Sequence, residues 1–158
     1  MSCLRQSNTG QLMPSIRLWP TDPPTLARLG PTLSVQVGFD PSYRDARGVT
    51  PILPPDLYPA LVDTGAMESC IDASMATTLN LPIVDRHWIT GVGGPLQVNL
   101  HAAQVYIPDL NWVIYGQFAG VHLSAGGQVH LALIGRSFLR TCKLVYDGRT
   151  GDVTLDND

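Results

Sequence analysis

Residues 61–72 read LVDTGAMESCID. Asp63 follows two apolar residues and is followed at once by Thr64 and Gly65. A carboxylate set against apolar surface is costly unless hydrogen bonds compensate it. Thr64 supplies a hydroxyl, and Gly65 permits a tight backbone that turns N–H groups towards the carboxyl oxygens. Two readings follow. Asp63 is a strand-end residue that caps its own turn, or it is a carboxyl held rigidly in a poorly hydrated place and fit to move protons.

Other chemistries find less support. His87, His101, His122 and His130 are scattered, with no His-Glu-x-x-His or Cys-x-x-Cys spacing, so no metal is expected and the four read as strand-surface residues. Cys70 lacks the electropositive neighbours that activate a thiol. A Gly-x-Ser-x-Gly elbow is absent. Gly91-Val92-Gly93-Gly94 lacks the Lys-Ser/Thr and following helix of a phosphate loop. No cofactor is expected.

The elements that must hold Asp63 are short. The chain has 158 residues, the size of one domain, and buries roughly 70% of its unfolded surface. Charged residues make up only 15%, which suits an ordered globule. Fifteen Gly and 13 Pro favour many turns over long helices. The net charge of −3, without a basic cluster, argues against nucleic acid as a partner. No apolar run approaches the roughly 18 residues of a membrane span, and residues 1–20 show no secretory pattern. Three cysteines at unrelated spacings read as reduced thiols. A cytoplasmic protein is expected.

Residues 1–31, Pro-rich towards their end, read as an N-terminal extension, and 32–158 as the main domain. Leu33, Val35, Val37 and Phe39 alternate with polar residues as a half-buried strand. Residues 40–56 form a long loop. A second strand, Leu57–Val62, runs into the Asp63 turn. Asp72 caps a short helix over Ala73–Leu79. Strands over 83–90 and from Leu96 flank the turn Gly91–Pro95. The apolar phase slips at Ala102-Ala103, which predicts a bulge or a strong bend. Further strands fit Trp112–Leu123 and Gln128–Ile134, a helix follows Gly135, and Lys143–Asp147 with Asp152–Leu155 make a hairpin. The expectation is a mostly β domain with one or two short helices.

Tyr58-Pro59-Ala60-Leu61-Val62-Asp63-Thr64-Gly65-Ala66, with Ser69 and Ile71 beyond, resembles the active-site strand of retropepsins, the retroviral-type aspartic proteases. Trp88-Ile89-Thr90-Gly91-Val92-Gly93-Gly94, with the strand to Ile107, resembles their flap hairpin. Leu131-Ala132-Leu133-Ile134-Gly135-Arg136-Ser137-Phe138-Leu139 resembles their apolar-Gly-Arg segment and closing helix. The three occur in the family's order and cover roughly residues 32–156.

The resemblance implies a closed, barrel-like retropepsin fold with its active site on the two-fold axis of a homodimer. Aspartic proteolysis needs two carboxyls sharing a proton, and this chain has one Asp-Thr/Ser-Gly run. A second copy must supply the other. Asp63, Thr64 and Gly65 are then the catalytic turn, with Thr64 in a clasp between subunits and Gly65 touching the substrate backbone. Ala66, Met67, Ile89, Gly91, Val92, Gly93, Leu131 and Leu133 are the implied substrate-binding residues. The Lys143–Leu155 hairpin is the candidate interface. The substrate is an extended peptide or protein with apolar residues beside the cut. Met67 stands where viral members carry an Asp that pairs with the Arg of the Gly-Arg motif, so Glu68 becomes the candidate partner of Arg136. The extension over 1–31 is also readable as a removable pro-segment. The alternative is a dimeric module of the same fold that binds peptides without cutting them.

Overall fold

The computed structural model describes residues 2–4 and 15–156. Eleven short strands are present among them: β1 (Ser2–Leu4), β2 (Ile16–Arg17), β3 (Thr32–Gly38), β4 (Tyr58–Val62), β5 (Cys70–Asp72), β6 (Ile83–Gly91), β7 (Gly94–Ile107), β8 (Trp112–Val121), β9 (Ala132–Ile134), β10 (Lys143–Asp147) and β11 (Asp152–Asp156). The α-helices are α1 (Pro23–Leu29), α2 (Ala73–Thr78) and α3 (Arg136–Leu139). The first lies in the N-terminal extension.

The strands run in the order β8-β5-β9-β4-β3-β7, and a β7–β8 pairing closes them into a ring. The flap-like strand β6 hangs outside on β7, and β1 on β8. Closure removes most free edges. The interior is filled by the alternating inward residues of this ring: Val35, Val37, Ala60, Ile71, Ile107, Ile114 and Phe118, all fully buried or nearly so. Phe138 of α3 plugs one end, its ring edge-on to Trp112 with centroids 4.8 Å apart.

The N-terminal segment belongs to the packing of this body. Leu18 and Leu26 are buried in the core cluster. Asp22 caps α1 through Thr25 N–H at 3.0 Å. The pair β10–β11 forms a second sheet with β2 along the outer side of β11. Gly151, in the left-handed region at φ +77°, passes so close to the Thr21 carbonyl that a Cβ would collide with it.

Two expectations from the sequence are corrected here. No bulge occurs at Ala102-Ala103, where β7 pairs with β8 in continuous register. The apolar residues change face because β7 leaves the β6 hairpin and enters the core between β3 and β8. The irregularity falls on β6, between Ile83 and Asp85. The stretch expected as a strand over Gln128–Ile134 is regular only at Ala132–Ile134, preceded by a 3-10 turn at Ser124–Gly126. Gly126 and Gly127 do not favour a strand there.

Candidate active site

Asp63 leaves the end of β4, which lies parallel to β9 with Val62 opposite Ile134. Its N–H continues the ladder to the Ile134 carbonyl at 3.0 Å. Alternation along this three-strand patch answers why a carboxyl follows apolar residues. Ala60, Val62, Ala132, Ile134 and Ile71 share the face that is buried in the core. Leu61, Leu133 and Cys70, in register with one another, share the other face, and the period of two puts Asp63 on that face too. The carboxyl is half-buried among apolar side chains, on the outward side of the ring.

The turn then grips this carboxyl. Asp63 Oδ1 accepts from Gly65 N–H at 2.8 Å, and the Asp63 carbonyl accepts from Ala66 N–H at 3.3 Å. A Cβ on Gly65 would stand 3.0 Å from Oδ1, crowding the oxygen that the turn holds. Thr64 and Gly65 are exposed, and Ala66 is half-buried. Met67 is 67% exposed, an unusual state for a large apolar residue beside a carboxylate.

The start of α3 clamps the far side of the turn. Arg136 N–H donates to the Ala66 carbonyl at 3.0 Å, and Ser137 N–H to that of Met67 at 2.9 Å. Gly135 N–H donates to the buried Ser69 Oγ at 3.0 Å. Arg136 Nη1 donates to the Thr64 carbonyl at 2.7 Å. No ion pair joins Arg136 to Glu68 among the described residues. Glu68 meets this region through its backbone instead: a Cβ on Gly135 would lie 2.7 Å from its carbonyl.

The remaining expected residues are distributed as follows. Ile89 and Leu96 face each other across the β6–β7 hairpin, whose turn is Val92-Gly93 between Gly91 and Gly94. Gly94 takes φ +96°, and Val92 is fully exposed at the tip. Leu133 is half-buried beside Cys70. Leu131 packs against the core and acts mainly through its backbone, donating to the Pro59 carbonyl and accepting from Asp72 N–H, both at 2.9 Å. Cys70, which the motif match also offers as a pocket wall, lies on this face, and Leu61 and Leu96 join these surfaces although no motif marks them. Strand parity with Asp63, Leu133 and Ile89 was the signal that marks them.

Four further side chains bear on the chemistry. Burial, then the nearby Asp63 carboxylate, pushes the Cys70 thiol up to about 12 despite a backbone hydrogen bond from Leu133, so it is a poor nucleophile. Asp72 caps α2 through Met75 N–H at 3.1 Å and also accepts from Leu123 N–H, Ser124 N–H and Ser124 Oγ at 3.1, 2.9 and 3.0 Å. It ties α2 to the loop that leads into β9. His101 and His130 are buried, not on the surface as expected. His101 Nδ1 meets the Leu81 carbonyl at 3.2 Å, and His130 Nε2 meets Thr32 Oγ1 at 2.8 Å. Among the described residues, no three His, Cys, Asp or Glu side chains gather as metal ligands. No helix among them is long and apolar enough to cross a membrane.

The family model of retroviral aspartyl proteases matches residues 29–146, most of the 158-residue chain. The chain belongs to the retroviral aspartyl protease family. No curated protein matches it. The matched range carries the Asp63 turn, the β6–β7 hairpin and the Gly135-Arg136 clamp of this retroviral-type protease domain. It also reaches β10, while β11 and most of the N-terminal segment lie beyond it.

Proposed function

We propose that this protein is an aspartic endopeptidase that cuts extended polypeptides with a pair of Asp63 carboxyls, one from each subunit of a homodimer. The single observation that carries this reading is the Asp63 turn. One carboxyl stands on the outward face of a closed ring, fixed by Gly65 N–H and by the α3 clamp. One such turn per chain makes half of a two-carboxyl site.

The mechanism follows from the pair. Like charges about 3 Å apart cannot both ionise easily, so the two carboxyls hold one proton between them. The ionised carboxylate takes a proton from water as the water oxygen bonds to the scissile carbonyl carbon. The protonated partner gives its proton to the carbonyl oxygen. The tetrahedral intermediate then loses one hydroxyl proton to a carboxylate, the C–N bond breaks, and the leaving nitrogen takes the other proton. The pair ends with one proton, as it began. Thr64 clasps its counterpart beneath the dyad, and Gly65 and Ala66 meet the substrate backbone.

The β6–β7 hairpin serves as the lid over an extended substrate. Gly91 and Gly93 give it a pliant tip at Val92, and Ile89 and Leu96 offer apolar surface on one face. Leu133 and Met67 supply apolar contacts on the side of the turn. The preference is for apolar residues flanking the cut. The free thiol of Cys70 suits a reducing compartment such as the cytoplasm.

The test is cleavage of a mixed peptide pool across roughly pH 3 to 7, with Asp63→Asn beside it. A bell-shaped profile, abolished by Asp63→Asn and blocked by a statine-type mimic of the tetrahedral state, is expected. Cleavage that survives in Asp63→Asn sinks the proposal, and peptide binding without any cleavage makes the domain a binding module.

A further inference from the structure

The β7–β8 pairing brings His101 and His122, distant in the chain, to one cavity. That cavity, of about 320 Å³, lies between α2, the root of the β6–β7 hairpin and the end of β8. His101 is only 4% exposed. Its Nδ1 stands 3.2 Å from the Leu81 carbonyl oxygen. A carbonyl only accepts, so Nδ1 carries the proton and Nε2 keeps a lone pair. No donor reaches Nε2 among the described residues. Nor is it sealed in, since Trp112 Nε1 is the one buried side-chain nitrogen or oxygen closed off without a partner among them. Nε2 therefore opens to the cavity. His101 lies opposite Phe118, and the period of two puts Gly120 on the same face. A Cβ on Gly120 would stand 3.0 Å from Nε2, so the glycine keeps the space before that lone pair clear. His122 follows two residues later and also lines the cavity. Its exposed ring makes no hydrogen bond or ion pair among the described residues.

We infer that His101 Nε2 and the His122 imidazole bind a divalent transition metal of the class that prefers nitrogen ligands, with Zn²⁺ as the type case. Imidazole suits Zn²⁺, Cu²⁺ and Ni²⁺. A ligating histidine gives its other N–H to a carboxylate or a backbone carbonyl, which fixes the tautomer and the ring plane. The Leu81 carbonyl already does this for His101. Only two imidazoles meet here, so oxygens complete the shell. Ser74 and Asn99 line the same cavity and offer a hydroxyl and an amide oxygen, and water fills what remains open. No carboxylate is among the lining residues, so Mg²⁺ and Ca²⁺, which take hard oxygen ligands, are disfavoured. A bound ion ties the root of β7 to the chain just beyond β8, and it stabilises the fold by mass action. The site shares no residue with the Asp63 turn and does not depend on the proposed proteolysis.

Titration calorimetry with zinc sulfate tests this, on the full chain carrying Cys3→Ser and Cys142→Ser so that those thiols do not compete. One Zn²⁺ per chain is expected, with a rise in melting temperature that EDTA reverses, and no heat from Mg²⁺ or Ca²⁺. His122→Ala, at an exposed position, weakens binding by at least about tenfold, the loss that even an outer partner of a metal ligand causes. His101→Gln does the same, provided its circular dichroism matches the parent. Where His101→Gln fails to fold, nitrogen NMR of the parent's imidazoles replaces it, showing His101 as the Nδ1–H tautomer with an Nε2 signal that moves on adding Zn²⁺. His87→Ala leaves binding unchanged, although His87 Nε2 and Asp85 form an exposed pair at 3.0 Å. Absence of zinc binding overturns the site. So does an affinity that survives His122→Ala, or one lost in His87→Ala instead, which makes the ion an adventitious surface ligand.

Discussion

Arg136 donates from Nη1 to the carbonyl oxygen of Thr64 at 2.7 Å, so the Gly-Arg motif braces the backbone of the Asp63 turn and not a neighbouring carboxylate. Arg136 is therefore a positioning residue for Asp63, acting through the peptide unit next to it.

Removing that brace should loosen the turn more than the fold. Arg136→Ala is expected to lower kcat by roughly fivefold, about 1 kcal/mol for a charge-assisted bond discounted for exposure. KM and the melting temperature should move little. Steady-state kinetics beside a thermal melt checks this, and an unchanged kcat would contradict the bracing role.

Gly135 is a steric requirement. Its φ of −88° is open to any residue, but a Cβ would meet the Glu68 carbonyl carbon and oxygen at 2.7 Å and the Met67 oxygen at 2.9 Å. Backbone cannot yield as a side chain tip can. Gly135→Ala should cost about 1–3 kcal/mol in urea denaturation and should lower activity by shifting the Asp63 turn.

Cys70 lies beside Asp63 with its thiol pushed up to about 12 by burial and by the nearby carboxylate. Almost no thiolate exists near neutral pH, so iodoacetamide under native conditions should leave residue 70 unmodified and cleavage unaffected. Peptide mapping of the alkylated protein reads this directly. Rapid labelling of Cys70 would mean that the β5–β9 face is more open than described.

Acid should weaken the fold in two stages. Burial pushes the His130 ring below its ordinary 6.5. Burial pushes the Asp72 carboxyl up, but the N–H groups of Ser124, Met75 and Leu123 and the Ser124 hydroxyl outweigh it and hold it below 3.8. Both folded values lie below the unfolded ones, so the unfolded chain takes up protons first as pH falls. The His130 contribution is complete above about pH 6.5 and is lost as pH falls through the ring's folded value. The Asp72 contribution is complete above about pH 3.9 and is lost as pH falls through the carboxyl's folded value. Urea midpoints measured from about pH 7 down to 3 should fall in these two steps. His130→Phe should flatten the first and Asp72→Asn the second. Asp72→Ala should also cost about 2–4 kcal/mol at neutral pH, since it removes a cap and a buried charged acceptor.

Much of this architecture is written in short-range pattern. The alternation at Leu33–Val37, the Gly-rich turn at Gly91–Gly94, the Asp72 cap and the Lys143–Asp147 hairpin strand all depend on residues within a few positions of one another. The physics of strands, turns and caps acts at that range. The long-range statements were harder. The partner of Arg136 was expected to be Glu68, because charge attracts charge. It is the Thr64 carbonyl, because β4 and β9 run parallel and bring the start of α3 against the turn. His101 and His130 read as surface residues because polar rings usually are, yet Leu81 and Thr32 satisfy them inside.

The chain of amino acids determined by itself that Asp63 ends a strand in a Gly-containing turn, that a second carboxyl of the same kind is lacking, and that the domain is built of short strands. Those are properties of neighbours along the backbone. Only the tertiary structure decided which face of β4 carries the carboxyl, what holds the turn, and that β11 lies between β10 and β2. Those depend on which strands become adjacent when the ring closes, and closure is settled by contacts between residues tens of positions apart.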